Sequence, residues 1–417
     1  MTHQKQLEDA SETIRTAATR LRNSFTFEGV SVLMVTQFLL TLGNGIWGPY
    51  LNIYFASLDM TGVNIGLLST IQTAVSSLVM MPAGIMTDRI GRRTPIIVSF
   101  ALTLVYTVSL AVVRDFTLLM LVTCAQGVST GISAPATTAY ILDKVRERRA
   151  TALAAFHLTA IFAQMTGTFL GASIAKAYSY QSLFQASAAI ICLAGVYTFL
   201  RLRESMAPMT ESQQNSQSMM KSLGEGLGLM KNTNILLMVI GVVIHHIANC
   251  AMPYLGIYFK EVLILDLILI GILMNARSIG DIFGQLPAGM MIDRFGAEVI
   301  LFFHVLLAAP ILYLFTVGNN PIFLFILLLA WGSEGGWEMP SRRLLTVDYA
   351  KGMGSATALG AVQSIIGLLG LSAPIVGGLI WDNLGAYPLF QLSAALNAVA
   401  CIPLLVLVYR NRKPRVA

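Results

Sequence analysis

Charge is what this sequence is short of. Only 12% of its 417 residues are Asp, Glu, Lys or Arg, while 55% are hydrophobic; a soluble domain carries about 25% charged residues. Too few charges are present to coat a water-facing surface of this size, which excludes a soluble enzyme. Cysteine is scarce as well. Cys124, Cys192, Cys250 and Cys401 fall in separate apolar runs, which argues against a disulfide frame or zinc-finger spacing. The first 28 residues carry Lys5, Asp9 and Glu12 and lack an apolar core, so no signal peptide is expected. No G-x-x-x-x-G-K-[ST] run occurs, and with it goes the phosphate loop of a nucleotide-driven pump.

What takes the place of charge is a series of long apolar runs. A membrane-crossing helix needs roughly 20 apolar residues at about 1.5 Å rise each. Such stretches recur at about 30–56, 62–87, 95–113, 116–142, 152–175, 182–201, 235–259, 263–292, 298–317, 321–346, 355–381 and 388–409. Strands cross a bilayer only as a closed barrel of alternating polarity, whereas the run 96–113 is apolar on every face. The expected fold class is therefore an all-α membrane protein of twelve transmembrane helices.

Orientation follows from the basic residues, which are retained on the cytoplasmic side during insertion. With both termini inside, the tails and cytoplasmic loops hold 23 of the 27 Lys and Arg. Arg114, Lys176 and Lys260 fall in outer loops, and Arg277 falls inside a span. The reading is a multi-pass protein of the cell membrane with cytoplasmic termini. The net charge of +6 then needs no nucleic-acid partner. In the amino-terminal tail, Ile14, Ala18, Leu21 and Phe25 repeat at helical spacing, which predicts a short amphipathic helix resting on lipid.

The chain contains itself twice. MPAGIMTDRIG (81–91) returns as LPAGMMIDRFG (286–296), an offset of 205, and Gly127, Gly131, Pro135 and Asp143 return as Gly332, Gly336, Pro340 and Asp348. PYLNIYF (49–55) returns as PYLGIYF (253–259). Each copy has six spans, an even number, so both insert the same way up and face each other across an axis along the membrane normal. The expected divisions are a cytoplasmic tail (1–28), an amino-terminal six-helix bundle (29–201), a linker (202–231), a carboxyl-terminal bundle (232–409) and a short tail (410–417). The linker's polar run TESQQNSQS has no apolar face to bury.

At this point the sequence resembles the major facilitator superfamily. GIMTDRIGRR between spans 2 and 3 matches that family's G-x-x-x-D-R-x-G-R-R/K signature at Gly84, Asp88, Arg89, Gly91, Arg92 and Arg93. The resemblance implies two pseudo-symmetric six-helix bundles and a cytoplasmic gate. In that gate Asp88 meets the start of helix 11 and Arg92, Asp143 serves as a second acid, and Gly84 lets helices 2 and 11 approach. In the second copy Asp293, Arg294, Gly296 and Asp348 persist but Ala297 and Glu298 replace the two basic residues, which predicts a weaker latch there.

Four ionisable residues sit where none is expected: Arg277 and Asp281 in span 8, Glu334 and Glu338 in span 10. Each costs roughly 2.5 to 3.5 kcal/mol at a helix centre by insertion scales, so each suggests function. Counting back from Asp293 and Asp348 at 1.5 Å per residue puts Asp281 about 18 Å, Arg277 about 24 Å, Glu338 about 15 Å and Glu334 about 21 Å deep. Each pair is spaced i, i+4 and so shares one helix face. Arginine stays charged and holds one carboxylate ionised, while burial favours the neutral form of the others. Glu334 or Glu338 is the expected proton carrier, Arg277 its switchable partner and Asp281 a second candidate; a static network of buried ion pairs is the competing reading.

In the family, helices 1, 4, 7 and 10 line the cavity. The resemblance thereby nominates Gln37, Asn44, Trp47, Tyr50, Gln126, His245, Asn249, Tyr254, Trp331 and Trp337 as solute contacts. His245, His246 and Cys250 resemble a metal cluster only superficially, because adjacent helical residues point about 100° apart; no metal is expected. The expected activity is secondary active transport by alternating access with H+ as coupling ion, no cofactor, a monomeric chain in lipid and a small-molecule solute. Proton-coupled export of amphiphilic compounds is the first reading, and it draws on the excess of carboxylates in the second half. A proton symporter importing a sugar or organic acid, with Arg277 on the anion, is the second. A passive facilitator or transport-like receptor is the third.

Overall fold

The computed structural model describes residues 30–145, 149–205, 228–350 and 355–411. Twelve helices among them are long and apolar enough to cross a membrane, and no strand occurs among the described residues. In order they are α1 (Val30–Ala56), α2 (Gly62–Ile90), α3 (Arg93–Val112), α4 (Phe116–Lys144), α5 (Arg149–Ala177), α6 (Tyr180–Arg201), α7 (Thr233–Val262), α8 (Leu267–Phe295), α9 (Ala297–Leu314), α10 (Pro321–Tyr349), α11 (Ala358–Leu384) and α12 (Ala386–Asn411). The tail helix expected over 1–28 and most of the linker lie outside the described residues.

Helix starts follow local chemistry. Thr61, Asp115, Ser179, Asn232, Asp266 and Asn320 each accept a hydrogen bond from a first-turn backbone N–H of the helix they precede, satisfying a donor that the helix itself leaves orphaned. Helices α2 and α8 both end at a motif glycine in the left-handed half of backbone space, Gly91 at φ +90° and Gly296 at φ +91°, a conformation that glycine adopts without steric cost. Apolar side chains such as Val112, Leu200, Ile322 and Ile402 stand exposed on the outside, as lipid-facing residues do.

The duplication read from the sequence is repeated in the contacts. Tyr54 donates to the Leu110 carbonyl at 3.2 Å, and its counterpart Tyr258 to the Phe315 carbonyl at 2.6 Å. Tyr50 donates to the Thr168 carbonyl at 2.7 Å, and Tyr254 to the Pro374 carbonyl at 2.8 Å. A Cβ at Gly127 would press on the Gln72 carbonyl and one at Gly332 on the Arg277 carbonyl; Gln72 and Arg277 are equivalent positions. Small residues at these crossings bring backbones together where packing, not water, drives association.

Call the face at which α1 begins and α12 ends the termini face, and its opposite the far face. At the far side one apolar cluster runs through both bundles, from Tyr50, Tyr54 and Phe184 to Tyr254, Tyr258 and Phe390. Toward the termini face the core splits in two. Val30, Phe100 and Tyr140 belong to one cluster and Ile235, Leu301 and Leu404 to the other. The bundles therefore touch on the far side and part on the termini side.

Polar contacts agree with that division. The Asp382 carboxylate of α11 accepts from Gly62 N at 2.6 Å and Val63 N at 2.9 Å, capping α2 of the other bundle. Asn52 donates to the Pro253 carbonyl at 2.7 Å, Asn275 to the Met165 carbonyl at 3.1 Å, and Lys176 pairs with Asp266 at 2.9 Å.

Candidate functional site

Between the parted bundles lie two adjoining volumes of 690 and 990 Å³ that share Asp281, Gly335 and Glu338 in their walls. The larger runs past Thr138, Phe156, His157, Gly289 and Arg343 toward the termini face. The smaller sits deeper and is lined by His245, Asn249, Arg277, His304, Trp331 and Glu334 among others.

On the wall of the deep volume is a buried network of imidazoles and carboxyls. Asn397 of α12 donates through Nδ2 to the Ser393 carbonyl at 2.9 Å, which turns its Oδ1 toward His245 Nδ1 at 2.6 Å. His245 Nδ1 is therefore the donor. Asn249 Nδ2 donates to His245 Nε2 at 3.0 Å, so Nε2 is an acceptor. His304 of α9 faces only acceptors at Nδ1, namely the Glu334 carboxylate and, at 3.1 Å, the Glu334 carbonyl. Its Nε2 lies 3.2 Å from His245 Nε2. Two lone pairs cannot face each other stably at that distance, so the network assigns a proton to His304 Nε2. A further proton is held between His304 Nδ1 and the Glu334 carboxylate, so the pair is an imidazolium with its counter-ion when the ring carries that proton, and both residues are buried.

Glu334 and Glu338 both line the deep volume but hold different partners. Helix α10 is interrupted between Gly335 and Glu338, where two successive glycines weaken the helix. Glu334 ends the upper segment and turns to α9; Glu338 opens the lower one and turns to α7. Glu338 Oε1 meets His246 Nε2 at 3.1 Å and Arg342 Nε at 3.4 Å. His245, His304 and Glu338 each offer a ligand atom within 4.8 Å of the others, but the two Nε2 atoms face each other and the carboxylate is held by His246 and Arg342. The set is a hydrogen-bonded network.

Arg277 is not the partner of either glutamate. It makes no hydrogen bond and no ion pair among the described residues; its guanidinium carbon lies 4.9 Å from the centre of the Trp331 ring and its buried Nε has no partner. Asp281, one turn on, accepts from Gln285 Nε2 at 2.9 Å. In the equivalent place of the first bundle, Ser129 shares a hydrogen with Thr103 at 2.7 Å and donates to the Ser99 carbonyl.

Of the expected solute contacts, Gln37, Asn44 and Gln126 line the large volume and His245, Asn249 and Trp331 the deep one. The buried Oδ1 of Asn44 and Oε1 of Gln126 have no protein partner. Tyr50 and Tyr254 lie elsewhere. Their hydroxyls are spent on backbone carbonyls at the far side, where Tyr254 also donates to the Gly62 carbonyl at 2.9 Å. Trp47 packs edge-on against Tyr106, and Trp337 lies against the termini-side core of its own bundle. Neither lines the cavity.

In the loop motif, Arg92 Nε donates to Asp143 at 3.1 Å, and Glu204 accepts from the backbone N–H of Arg92 at 2.7 Å and Arg93 at 3.1 Å. Arg93 donates to the Phe199 carbonyl at 2.7 Å. The side chains of Asp88 and Arg89 lie outside the described residues. A Cβ at Gly84 would meet nothing within 4 Å among the described residues, and the side chains at the start of helix 11 expected to approach it lie outside them. In the second copy Asp293, Arg294 and Asp348 are exposed without an ion pair among the described residues; Tyr349 donates to Glu298 at 2.6 Å instead.

His304, Arg342, Asn397 and Asp382 are not among the residues that the sequence singles out, and His246 is singled out there only as part of a superficial resemblance to a metal cluster. His304 was findable: it interrupts the otherwise apolar run of α9, and a polar group at that depth needs a partner.

The geometry matches known proteins along the whole chain. The sequence profile of the Major Facilitator Superfamily matches residues 33–263 and 237–417. Multidrug resistance protein MdtG of Klebsiella pneumoniae (strain 342) is 21% identical over 386 residues, covering 88% of this chain and 90% of that protein. The protein of that name from Escherichia coli (strain 55989 / EAEC) is 23% identical over 376 residues, covering 84% and 88%. Among solved structures, the nucleoside transporter NupG superposes with a TM-score of 0.75 at 16% identity over 92% of this chain and 99% of its own. A bacterial homologue of the human lysosomal transporter Spinster, inward-facing and unoccupied, gives 0.73 at 12% identity over 91% and 96%. Twelve helices in two like-oriented bundles, the loop motif and a profile match through both halves lead to one conclusion: the chain belongs to the Major Facilitator Superfamily of membrane transporters.

Proposed function

We propose that this transporter couples the movement of a small organic solute to that of a proton, and that His304 with Glu334 is the proton site. The observation that carries the reading is the close contact of His304 Nδ1 with the Glu334 carboxylate, which holds a proton between them, on a ring whose Nε2 donates to His245, in the wall of a cavity that reaches one face. With the termini cytoplasmic and the chain in the cell membrane, as the basic residues favour, that face is the cytoplasm and the structure is inward-facing. The chain then acts as a monomer in lipid, its bundles joined by the linker 202–231 and rocking about the cavity. A protonated imidazole with a fixed counter-ion loads where protons are abundant and discharges where they are scarce, once the cavity changes sides.

Export is the first reading, supported by the likeness to proteins named multidrug resistance protein. Proton-coupled import of a solute bearing an anionic group is the second, supported by Arg277, which lies unpaired in the cavity while Glu334 has its own cation. A solute that competes with protons for the carrier indicates exchange; one that travels with them indicates symport.

The test is flux in liposomes. His304→Gln and Glu334→Gln are expected to abolish uphill transport driven by a pH gradient while retaining downhill solute exchange. Full pH-driven transport in both variants overturns the assignment.

A further inference from the structure

From the charge balance of the cavity we infer that Arg277, stacked on Trp331, recognises an anionic group, a carboxylate or a phosphate, on the transported solute. The inference rests on the cavity being the solute site, as proposed above, and it is indifferent to the direction of transport and to the coupling ion.

The balance runs residue by residue. Glu334 faces the His304 imidazolium. Glu338 faces His246 and the Arg342 guanidinium. The carboxylates that make this half look suited to a cationic solute are thus already engaged within the protein. Asp281 has a neutral partner, Gln285. What remains is the Asp281 carboxylate and, one turn away within its field, a guanidinium with neither an ion pair nor a hydrogen bond among the described residues, whose Nε is buried and unpartnered.

That guanidinium is held for recognition. Gly332 packs so closely on the Arg277 carbonyl that a Cβ there would overlap it, which ties the Arg277 backbone to α10 beside Trp331. The guanidinium carbon lies over the indole, 4.9 Å from its centre. Its N–H groups have no partner among the described residues, and the fork they form matches two oxygens of a carboxylate or phosphate. A lysine in its place would offer a point charge without that fork. Around it, Gln164, Thr168, Asn249 and Ser278 supply neutral hydrogen-bonding groups to the same volume of 690 Å³, room for a small organic body behind the anionic group. Asp281, one turn toward the termini face, limits the site to one anion and gives a basic group on the same solute a second contact.

Equilibrium binding, with no pH gradient, tests this. Full-length protein in lipid nanodiscs, with Trp47, Trp337 and Trp381 changed to Phe, leaves Trp331 as the sole tryptophan and its emission as the readout. The probes are benzoate, phenylphosphate and benzyltrimethylammonium, which share a ring and differ in charge. Saturable quenching is expected with one or both anions, and the better of the two distinguishes carboxylate from phosphate. Arg277→Gln is expected to weaken that binding by at least tenfold and Arg277→Lys several-fold, with the cation failing to compete. Thermal stabilisation by the same probes, compared between the otherwise unaltered protein and Arg277→Gln, repeats the test without the Phe substitutions. Anion binding that Arg277→Gln leaves unchanged, a preference for the cation, or the absence of binding by either anion in both assays overturns the inference. Loss of pH-driven flux in the His304 variant with anion binding intact faults neither reading; failure of anion binding with proton coupling intact faults only this one.

Discussion

His245 and His304 meet Nε2 to Nε2 at 3.2 Å, while Asn397 accepts from one Nδ1 and Glu334 from the other. His304 and Glu334 together therefore hold one proton more than a neutral ring beside an ionised carboxylate does. Three separate helices, α7, α9 and α12, contribute to this arrangement, and a fourth, the upper segment of α10, supplies the counter-ion. A shift of α10 relative to α9 changes the counter-ion's distance from the proton. This gives the interruption at Gly335 and Gly336 a mechanical meaning, because the two segments of α10 are free to respond separately.

That view of α10 predicts a contrast between neighbouring glycines. A Cβ at Gly332 would overlap the Arg277 carbonyl, whereas one at Gly335 meets nothing within 4 Å. Gly332→Ala is expected to destabilise the protein by about 1–3 kcal/mol through overpacking, and Gly335→Ala by less than about 0.5 kcal/mol. Thermal unfolding in detergent reads both; equal melting temperatures contradict the close packing of α8 on α10.

Closure of the far face should depend on Asp382. Its carboxylate accepts from the first two amides of α2 across the bundle interface, where the helix dipole favours a negative charge. Asp382→Asn removes that charge and is expected to weaken closure by about 1–2 kcal/mol, roughly 5–30-fold in population. Spin labels at Ser57 and Ile264, both exposed near the far face, should show a longer distance gaining weight. An unchanged distance distribution counts against the latch.

A second far-face contact carries a pH signature. Hydrogen bonding to Lys176 and then to the Ile268 N–H holds the Asp266 carboxyl below the usual aspartate range. The sign is that of a depressed acid: its contribution is present above the ordinary aspartate value and lost as pH falls through the lower folded value. Mild acid, near pH 5 to 6, should leave the Lys176–Asp266 bridge intact, and loosening is expected only below about pH 4. The same label pair, followed by pH titration, should loosen below about pH 4 in the parent, whereas the Lys176→Met variant, which has no bridge to lose, should show no such change from its own neutral baseline. A bridge-dependent transition near pH 6 contradicts the assignment.

The fold was legible because its signals are one-dimensional: apolar run length gives the spans, and a repeat at 205 residues gives two bundles of like orientation. The depth of Arg277, Asp281, Glu334 and Glu338 was legible for the same reason, since rise per residue converts position into height. Partners were not. Which group faces Glu334 depends on how α9 packs beside α10, and which faces Glu338 on how α7 packs there. Tyr50 and Tyr254 fell on cavity-lining helices, yet their hydroxyls are used where α1 and α7 pack on α5 and α11. That Asp382 caps a helix of the other bundle is tertiary information.

The most direct test of the account is the protonation state of His304 itself. Nitrogen-15 NMR of histidine-labelled protein in lipid bilayers at pH 7, with His304→Gln for assignment, counts the protonated ring nitrogens. The account predicts that His304 carries protons on both Nδ1 and Nε2 and that Glu334→Gln returns it to a neutral ring. A neutral His304 in the unaltered protein, or an imidazolium that persists without Glu334, contradicts it.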